Sequence, residues 1–238
     1  MEQQLLFLLN REWTHPVLDW VLATLSCFAF WVPLLVGGAL WLLWKHRLRG
    51  AAHVALCVLG VAGNELLVSQ PLKTWTNKLR PHQALAQVRR VDLAPATPRL
   101  LAIAKPVSVS FSPPPSGRPE RGRSFPSAHV MNALTLGLVT ALCWRAWAWL
   151  LLPLLMAWSR VYTGAHWPSD VSASLLIGSV FTLALLRACN LAWSRWIPRL
   201  RPQWFAELPL LTQPLFPKRP SSPPPGTESG RTSNPSQP

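Results

Sequence analysis

Three short polar clusters interrupt an otherwise apolar sequence, and between them they carry the residues able to do chemistry. The first, KTWTNKLRP, runs from Lys73 to Pro81; the second, PSAH, from Pro126 to His129; the third, SRVYTGAHWPSD, from Ser159 to Asp170. Lys73, Arg80 and Arg160 are three fixed cations able to converge on one anion, the guanidinium forks matching phosphate oxygens and the lysine adding a point charge. Ser127 stands where an apolar run begins. Its hydroxyl and the unpaired backbone N–H groups of an opening helix make an anion site, aided by the helix dipole. His166 and Asp170 are four residues apart, the spacing that stacks side chains on one helix face. With a helix opening near His166, the carboxylate accepts from one imidazole nitrogen and leaves the other free to attack. His129 has no carboxylate behind it and reads as a general acid. The cations and the helix N-terminus would hold the equatorial oxygens of a transferring phosphoryl group. The pattern reads as phosphoryl transfer from an ester or anhydride to histidine, then to water. No carboxylate cluster suited to a metal accompanies it, so the expectation is a metal-independent reaction with no cofactor.

The elements that must position these residues are membrane helices. Half of the 238 residues are hydrophobic and only 13% are charged, where a soluble domain carries about a quarter. Five apolar runs stand out: about 30–44, 51–68, 129–144, 147–158 and 171–188. The expected fold is all-α, a polytopic membrane helix bundle of five spans, or six if HPVLDWVLATLSCFAF crosses on its own. Residues 1–29 read as an N-terminal interfacial or partly spanning segment. The opening MEQQLLFLLNREW lacks the basic region and cleavage site of a signal peptide. Residues 30–202 form the membrane domain, with a long polar loop at 82–125. Residues 203–238 are rich in proline and serine and have the composition of a disordered tail.

Alternate loops fall on opposite sides of such a bundle. WKHRLRG, Arg145 and the stretch around WSRWIPRLR share one side, and short-loop basic residues mark that side as cytoplasmic. All three polar clusters then lie together on the extracytoplasmic side. A net charge of +14 would suggest nucleic acid in a soluble chain. Here the basic residues lie in loops facing anionic headgroups, no nucleic-acid-binding motif is present, and the expected partners are membrane lipids. Cys27, Cys57, Cys143 and Cys189 each sit alone in apolar sequence and read as packing residues, not as disulfide or metal sites.

Each cluster alone has an ordinary reading. Lys73 and Arg80 are placed like lysines and arginines that reach from a span end to the interface. His129 is placed to face headgroups, His166 and Asp170 to cap a helix. Their joint order on one face is what those readings do not supply. Asn64 and Glu65 lie inside the second apolar run, where an ionisable residue is a functional candidate or, here, a bundle partner of Lys73. His82 follows Pro81 and reads as a headgroup contact. Arg118, Arg121 and Arg123 read as a solvated loop, with a second phosphate as the alternative. The 14 Trp suit an interfacial belt.

The three clusters resemble the signature of the type 2 phosphatidic acid phosphatase superfamily, KxxxxxxRP, PSGH and SRxxxxxHxxxD. Here the matching residues are Lys73, Arg80 and Pro81; Pro126, Ser127 and His129; Ser159, Arg160, His166 and Asp170. Ala128 alone departs, standing where glycine is usual; it keeps the backbone N–H and adds one methyl. The resemblance covers about 54–188. It implies an all-helical membrane fold with the site at the extracytoplasmic helix ends. It further implies His166 as nucleophile, Asp170 as its orienter and His129 as acid to the leaving group. Lys73, Arg80, Ser127, Arg160 and the Ala128 backbone would bind phosphate, with Pro81, Pro126 and Ser159 in support. The implied function is a lipid phosphatase of the cytoplasmic membrane working through a phosphohistidine, its lipid phosphate substrate entering from the outer leaflet. Undecaprenyl pyrophosphate is the first choice, with phosphatidylglycerol phosphate, phosphatidate and lipid A as alternatives. Two rival classes stay open: a vanadate-dependent haloperoxidase, whose pocket resembles the same signature, and a non-catalytic membrane protein that binds phosphate lipids.

Overall fold

The computed structural model describes residues 1–115 and 121–212; Arg118 and the tail beyond 212 lie outside the described residues. Helix α1 (Glu2–Phe7) continues into a π-type turn, Leu8–Glu12. Helix α2 (Pro16–Ser26) starts with proline at its first position, where the missing N–H costs nothing. Helix α3 (Phe28–Gly63) is broken at Arg47 (φ 40°, ψ −111°). A side chain on Gly50 would meet the Leu42 carbonyl oxygen at 2.1 Å. Eight residues of straight helix would separate the two by about 12 Å, so the chain doubles back at Arg47, and WKHRLRG is the tight turn between two legs. The returning leg passes through a π-type turn, Asn64–Ser69, into α4 (Gln70–Thr76), and the short α5 (Pro81–Ala84) follows.

The loop expected at 82–125 holds a structure that the all-helical reading omits. Strands β1 (Arg89–Leu93) and β2 (Val107–Phe111) pair antiparallel, Arg89 opposite Phe111 and Leu93 opposite Val107. The period-two signal of β1, RRVDL, is diluted by charge, whereas β2, VSVSF, alternates plainly. In β1, Arg89, Val91 and Leu93 are buried while Arg90 and Asp92 face out. Beyond the loop run α6 (Ala128–Trp144), α7 (Leu151–Tyr162), α8 (Pro168–Leu200) and α9 (Pro202–Glu207). The first residues of the expected tail therefore continue the fold. Asn190 Nδ2 donates to Thr212 Oγ1 (2.5 Å), and Trp193 Nε1 donates to the Leu208 carbonyl (2.8 Å).

Two described helical stretches are long and apolar enough to cross a membrane, Phe28–Ala84 and Pro168–Leu200; Pro16–Ser26 and Ala128–Trp144 are shorter apolar helices. The sequence has five apolar runs and suggests five or six spans. The merging of its first two into one helical stretch across the Arg47 turn, and the shortness of the others, account for the difference. On the first leg of α3, Val32, Leu35, Val36, Leu40, Trp41 and Trp44 are exposed, a contiguous apolar surface that a soluble monomer avoids.

Helix α6 is central and packs on α3, α7 and α8. Around its first half, Val130 and Ala133 meet Leu6, Met156, Val161, Trp167 and Val171; around its second, Val139 and Leu142 meet Leu56, Cys57 and Leu186. Gly60 sits so close to α6 that a β-carbon there would lie 2.4 Å from Thr135 Cγ2. Beside this contact Asn64 Nδ2 donates to Thr135 Oγ1 at 2.6 Å, and Thr135 and Thr182 hydroxyls lie 3.1 Å apart. Asn64 thus bridges helices within the bundle. The four cysteines are free, and Cys57 and Cys143 belong to the core.

Candidate active site

Each cluster sits at a helix end, and local sequence explains why. Helix α4 stops where Asn77 turns left-handed (φ 44°, ψ 31°), a conformation asparagine tolerates. Arg80 precedes α5, its backbone N–H donating to Gln83 Oε1 at 3.0 Å, and Pro81 opens that helix. The stretch before PSAH lies along this turn: Gly122 N–H donates to Asn77 Oδ1 (3.0 Å) and Ser124 N–H to the Lys78 carbonyl (3.0 Å). Pro126 leads into Ser127, the N-cap of α6, with Ala128 its first helical residue. At the end of α7, Gly164 turns left-handed (φ 70°), and the Ala165 and His166 N–H groups both donate back to the Arg160 carbonyl (3.1 Å). Helix α8 opens at Pro168, and Asp170 Oδ2 accepts the Trp167 N–H at 3.2 Å. The Ser127 N–H donates to Ser174 Oγ (2.8 Å), which donates to the Asp170 carbonyl (2.6 Å). The start of α6 is thereby fastened to the start of α8.

The clusters meet. The charges of Arg160 and Arg80 act on His166, and those of Arg160, Lys73 and Arg80 act on His129. Among the described residues no carboxylate forms an ion pair with Arg80 or Arg160; Lys73 has Glu65 at 3.8 Å. Glu65 is therefore the bundle partner anticipated for Lys73. The Ser127 hydroxyl and Arg160 Nε are buried and have no hydrogen-bond partner among the described residues. Buried donors left unmade cost about 1–3 kcal/mol each, and together with unneutralised cations they specify an anion. Burial, then Arg160 and Arg80, hold the His166 imidazole well below its ordinary pKa of 6.5, and the Ser124 carbonyl opposes them. His166 is neutral at physiological pH.

The orientation of His166 corrects the expectation from spacing. Asp170 Oδ2 lies 4.0 Å from Nδ1, too far for a hydrogen bond. Nδ1 instead lies 2.6 Å from the Ser124 carbonyl oxygen. A carbonyl only accepts, so Nδ1 carries the proton and Nε2 presents its lone pair. Asp170 holds the Ser124 hydroxyl at 2.5 Å, and so acts on His166 through Ser124. Sequence reading missed Ser124 because the orienting atom is backbone, which no side-chain pattern marks. It also missed Lys78, which sits 2.7 Å from Asp170, although Lys78 lies within the first cluster.

The Ser159 hydroxyl donates to the Leu22 carbonyl (2.7 Å) and meets Ser26 Oγ (2.5 Å), joining α7 to α2. His82 Nδ1 lies 3.3 Å from the Gly164 carbonyl, at the turn that carries His166. Arg121 and Arg123 are both exposed, as a solvated loop requires; Arg123 also donates to Gln70, and its charge acts on Lys73 and Arg80.

A family of phosphate-handling proteins is thus indicated by fold and site together. The chain belongs to the PAP2 superfamily, whose profile matches residues 54–194. It is 46% identical over 65 residues to YbjG of Escherichia coli K12, a candidate undecaprenyl-diphosphatase (26% of this chain, 32% of that one). It is 41% identical over 59 residues to the undecaprenyl-diphosphatase of Sulfolobus acidocaldarius (24% and 29%). It is 35% identical over 66 residues to the bacitracin transport permease protein BcrC of Bacillus licheniformis (27% and 32%). The chain matches about a third of the length of these curated relatives. Among solved structures, Aquifex aeolicus LpxE is similar with a TM-score of 0.54 and 25% identity, over 78% of this chain and 94% of that one.

Proposed function

We propose that the chain is an integral-membrane lipid phosphatase acting on undecaprenyl diphosphate through a phosphohistidine. The observation that carries this reading is His166: locked by the Ser124 carbonyl with Nε2 free, and set among cations and two buried donors that lack partners. Nε2 attacks phosphorus in line with the leaving oxygen. Lys73, Arg80 and Arg160, with the Ser127 hydroxyl and the Ala128 N–H, hold the equatorial oxygens where charge is greatest. With the charge of the cations around it offset by the bound phosphate, His129 carries a proton that it gives to the leaving oxygen, then takes one from the water that cleaves the phosphohistidine. Histidine and fixed cations suffice for these steps, so the reaction needs no metal.

The choice of a diphosphate is supported by two relatives named as undecaprenyl-diphosphatases and by cations beyond the three of the motif. Arg123 beside Lys73 and Arg90 beside Arg80 suit a second phosphate. The site lies at helix ends, so a headgroup reaches it while its tail stays in lipid. We place it on the extracytoplasmic face of the cytoplasmic membrane. The test is phosphate release by purified protein, in EDTA, from undecaprenyl diphosphate, phosphatidylglycerol phosphate, phosphatidate and lipid A, with His166→Ala as control. Release from the diphosphate, lost in the variant, is expected. Faster release from a monophosphate lipid moves the substrate. No release from any, by folded protein, removes the phosphatase reading.

A further inference from the structure

Asp170 is fully buried, and its two oxygens have different partners. Oδ2 holds Ser124, whose carbonyl fixes His166; Oδ1 receives Lys78 Nζ at 2.7 Å. Lys78 also donates to Ser169 Oγ at 3.0 Å and lies 5.7 Å from the centre of the Trp167 ring. These partners hold its ammonium at the base of α8. Ser169 in turn donates its N–H (3.1 Å) and its hydroxyl to Oε1 of Glu2. Glu2 opens α1, and that helix is anchored by Leu6, fully buried among Val130, Trp167 and Val171. Glu2 and α1 lie outside the family-matched residues 54–194.

We propose that Lys78 and Glu2 are positioning residues for the phosphoryl-transfer site: Lys78 neutralises Asp170 and holds it against Ser124, and Glu2 holds the Lys78–Ser169 pair from the N-terminal helix. The proposal rests on the phosphatase reading of the same site. Its physical basis is charge. A bare carboxylate 4.0 Å from an imidazole draws a proton onto it, and a protonated His166 has no lone pair with which to attack. The charged and titratable groups facing His166 are Arg160 on α7, Arg80 before α5, His129 on α6 and Asp170 on α8. Of these Asp170 alone is negative, and Lys78 cancels it. Asp170 is left as a hydrogen-bond acceptor that orders Ser124.

The test uses the full chain in detergent. Steady-state kinetics against pH with undecaprenyl diphosphate would compare wild type with Lys78→Met, Lys78→Arg and Glu2→Gln. The His166 ring would be titrated in each by NMR without substrate. In Lys78→Met, His166 is expected to titrate at higher pH and the acidic limb of kcat to move with it. On that limb kcat falls about tenfold while KM stays within about twofold, since no ground-state contact is lost. Lys78→Arg restores both profiles, and Glu2→Gln moves them the same way by less. An unmoved His166 titration in either Lys78→Met or Glu2→Gln overturns the proposal, as does a raised KM with kcat intact. Should Lys78→Met not fold, Glu2→Gln decides. The titration needs no turnover, so a wild type that releases no phosphate sinks the function while the positioning claim is still judged on its own.

Discussion

The two ends of α6 carry similar residues in opposite states. At the Trp144 end, His53 Nδ1 accepts the Trp144 Nε1–H at 3.1 Å, and its Nε2 lies 3.6 Å from Cys57 Sγ. Arg49 donates to the Cys143 carbonyl at 2.6 Å and stacks 4.5 Å from the Trp144 ring. A cation on the last carbonyls of a helix is where the dipole favours it. At the Ser127 end the dipole favours an anion, yet among the described residues the Ser127 hydroxyl and Arg160 Nε find no partner. Histidine and arginine mark both ends, so residue type alone does not separate structure from function. Thr24, Asn64, Ser69, Arg89 and Asn132 also carry a buried polar atom without a partner among the described residues, so the separation lies in open donors that coincide with cations no described carboxylate pairs.

The largest break in that comparison is His166→Ala. It removes the nucleophile, and phosphate release is expected to fall by about a thousandfold or more, while the lost bond to the Ser124 carbonyl lowers stability by only about 1 kcal/mol. The matching change at the other end, His53→Ala, is expected to leave kcat and KM alone and lower stability by about 1 kcal/mol, the scale of a lost hydrogen bond. Parallel kinetics and melting curves read both. Equal losses of activity would erase the distinction between the ends.

Arg160→Met should be next, lowering kcat about a hundredfold through lost transition-state stabilisation. It also has a pH signature. His166 must be neutral to attack, and its pKa is held below 6.5 by burial, then by Arg160 and Arg80. Wild-type activity should therefore persist as pH falls through 6.5. Without the Arg160 charge the pKa rises, and the acidic limb of kcat moves to higher pH. An acidic limb that stays in place in Arg160→Met would place that guanidinium outside the field of the nucleophile.

Much of this site was legible because charge and histidine stand out against apolar sequence. Lys73, Arg80, Ser127, His129, Arg160, His166 and Asp170 fall at helix ends, where proline and the dipole set both the boundary and the chemistry. Other features failed for physical reasons. Ser124 acts through its carbonyl. Strand β1 was hidden because Arg89, a long charged residue, takes a buried strand position, satisfied by Asp19; β2, VSVSF, carries a legible alternation but only five residues of it. The Arg47 turn was read as a loop because its tightness depends on Gly50 meeting the Leu42 backbone, a contact between residues whose proximity only the reversal creates.

The smallest expected effect is the sharpest test of unclosed bonds. Ser127→Ala removes a buried hydroxyl that has no partner. Deleting an unsatisfied buried group is near neutral or stabilising, whereas deleting one partner of a closed pair costs stability. Ser127→Ala should therefore keep or slightly raise the melting temperature, while Asn64→Ala, which removes the amide donor to Thr135, lowers stability by about 1 kcal/mol. The serine variant should still lose about tenfold in kcat/KM, because the hydroxyl is satisfied only when phosphate arrives. Orthovanadate, which resembles the pentavalent transition state, should raise the wild-type melting temperature and raise that of Ser127→Ala by less. The ordering follows from where the hydroxyl finds its acceptor. If Ser127→Ala destabilised the free protein as Asn64→Ala does, the serine would be a helix cap, and Arg160 Nε would be left as the open donor at the site.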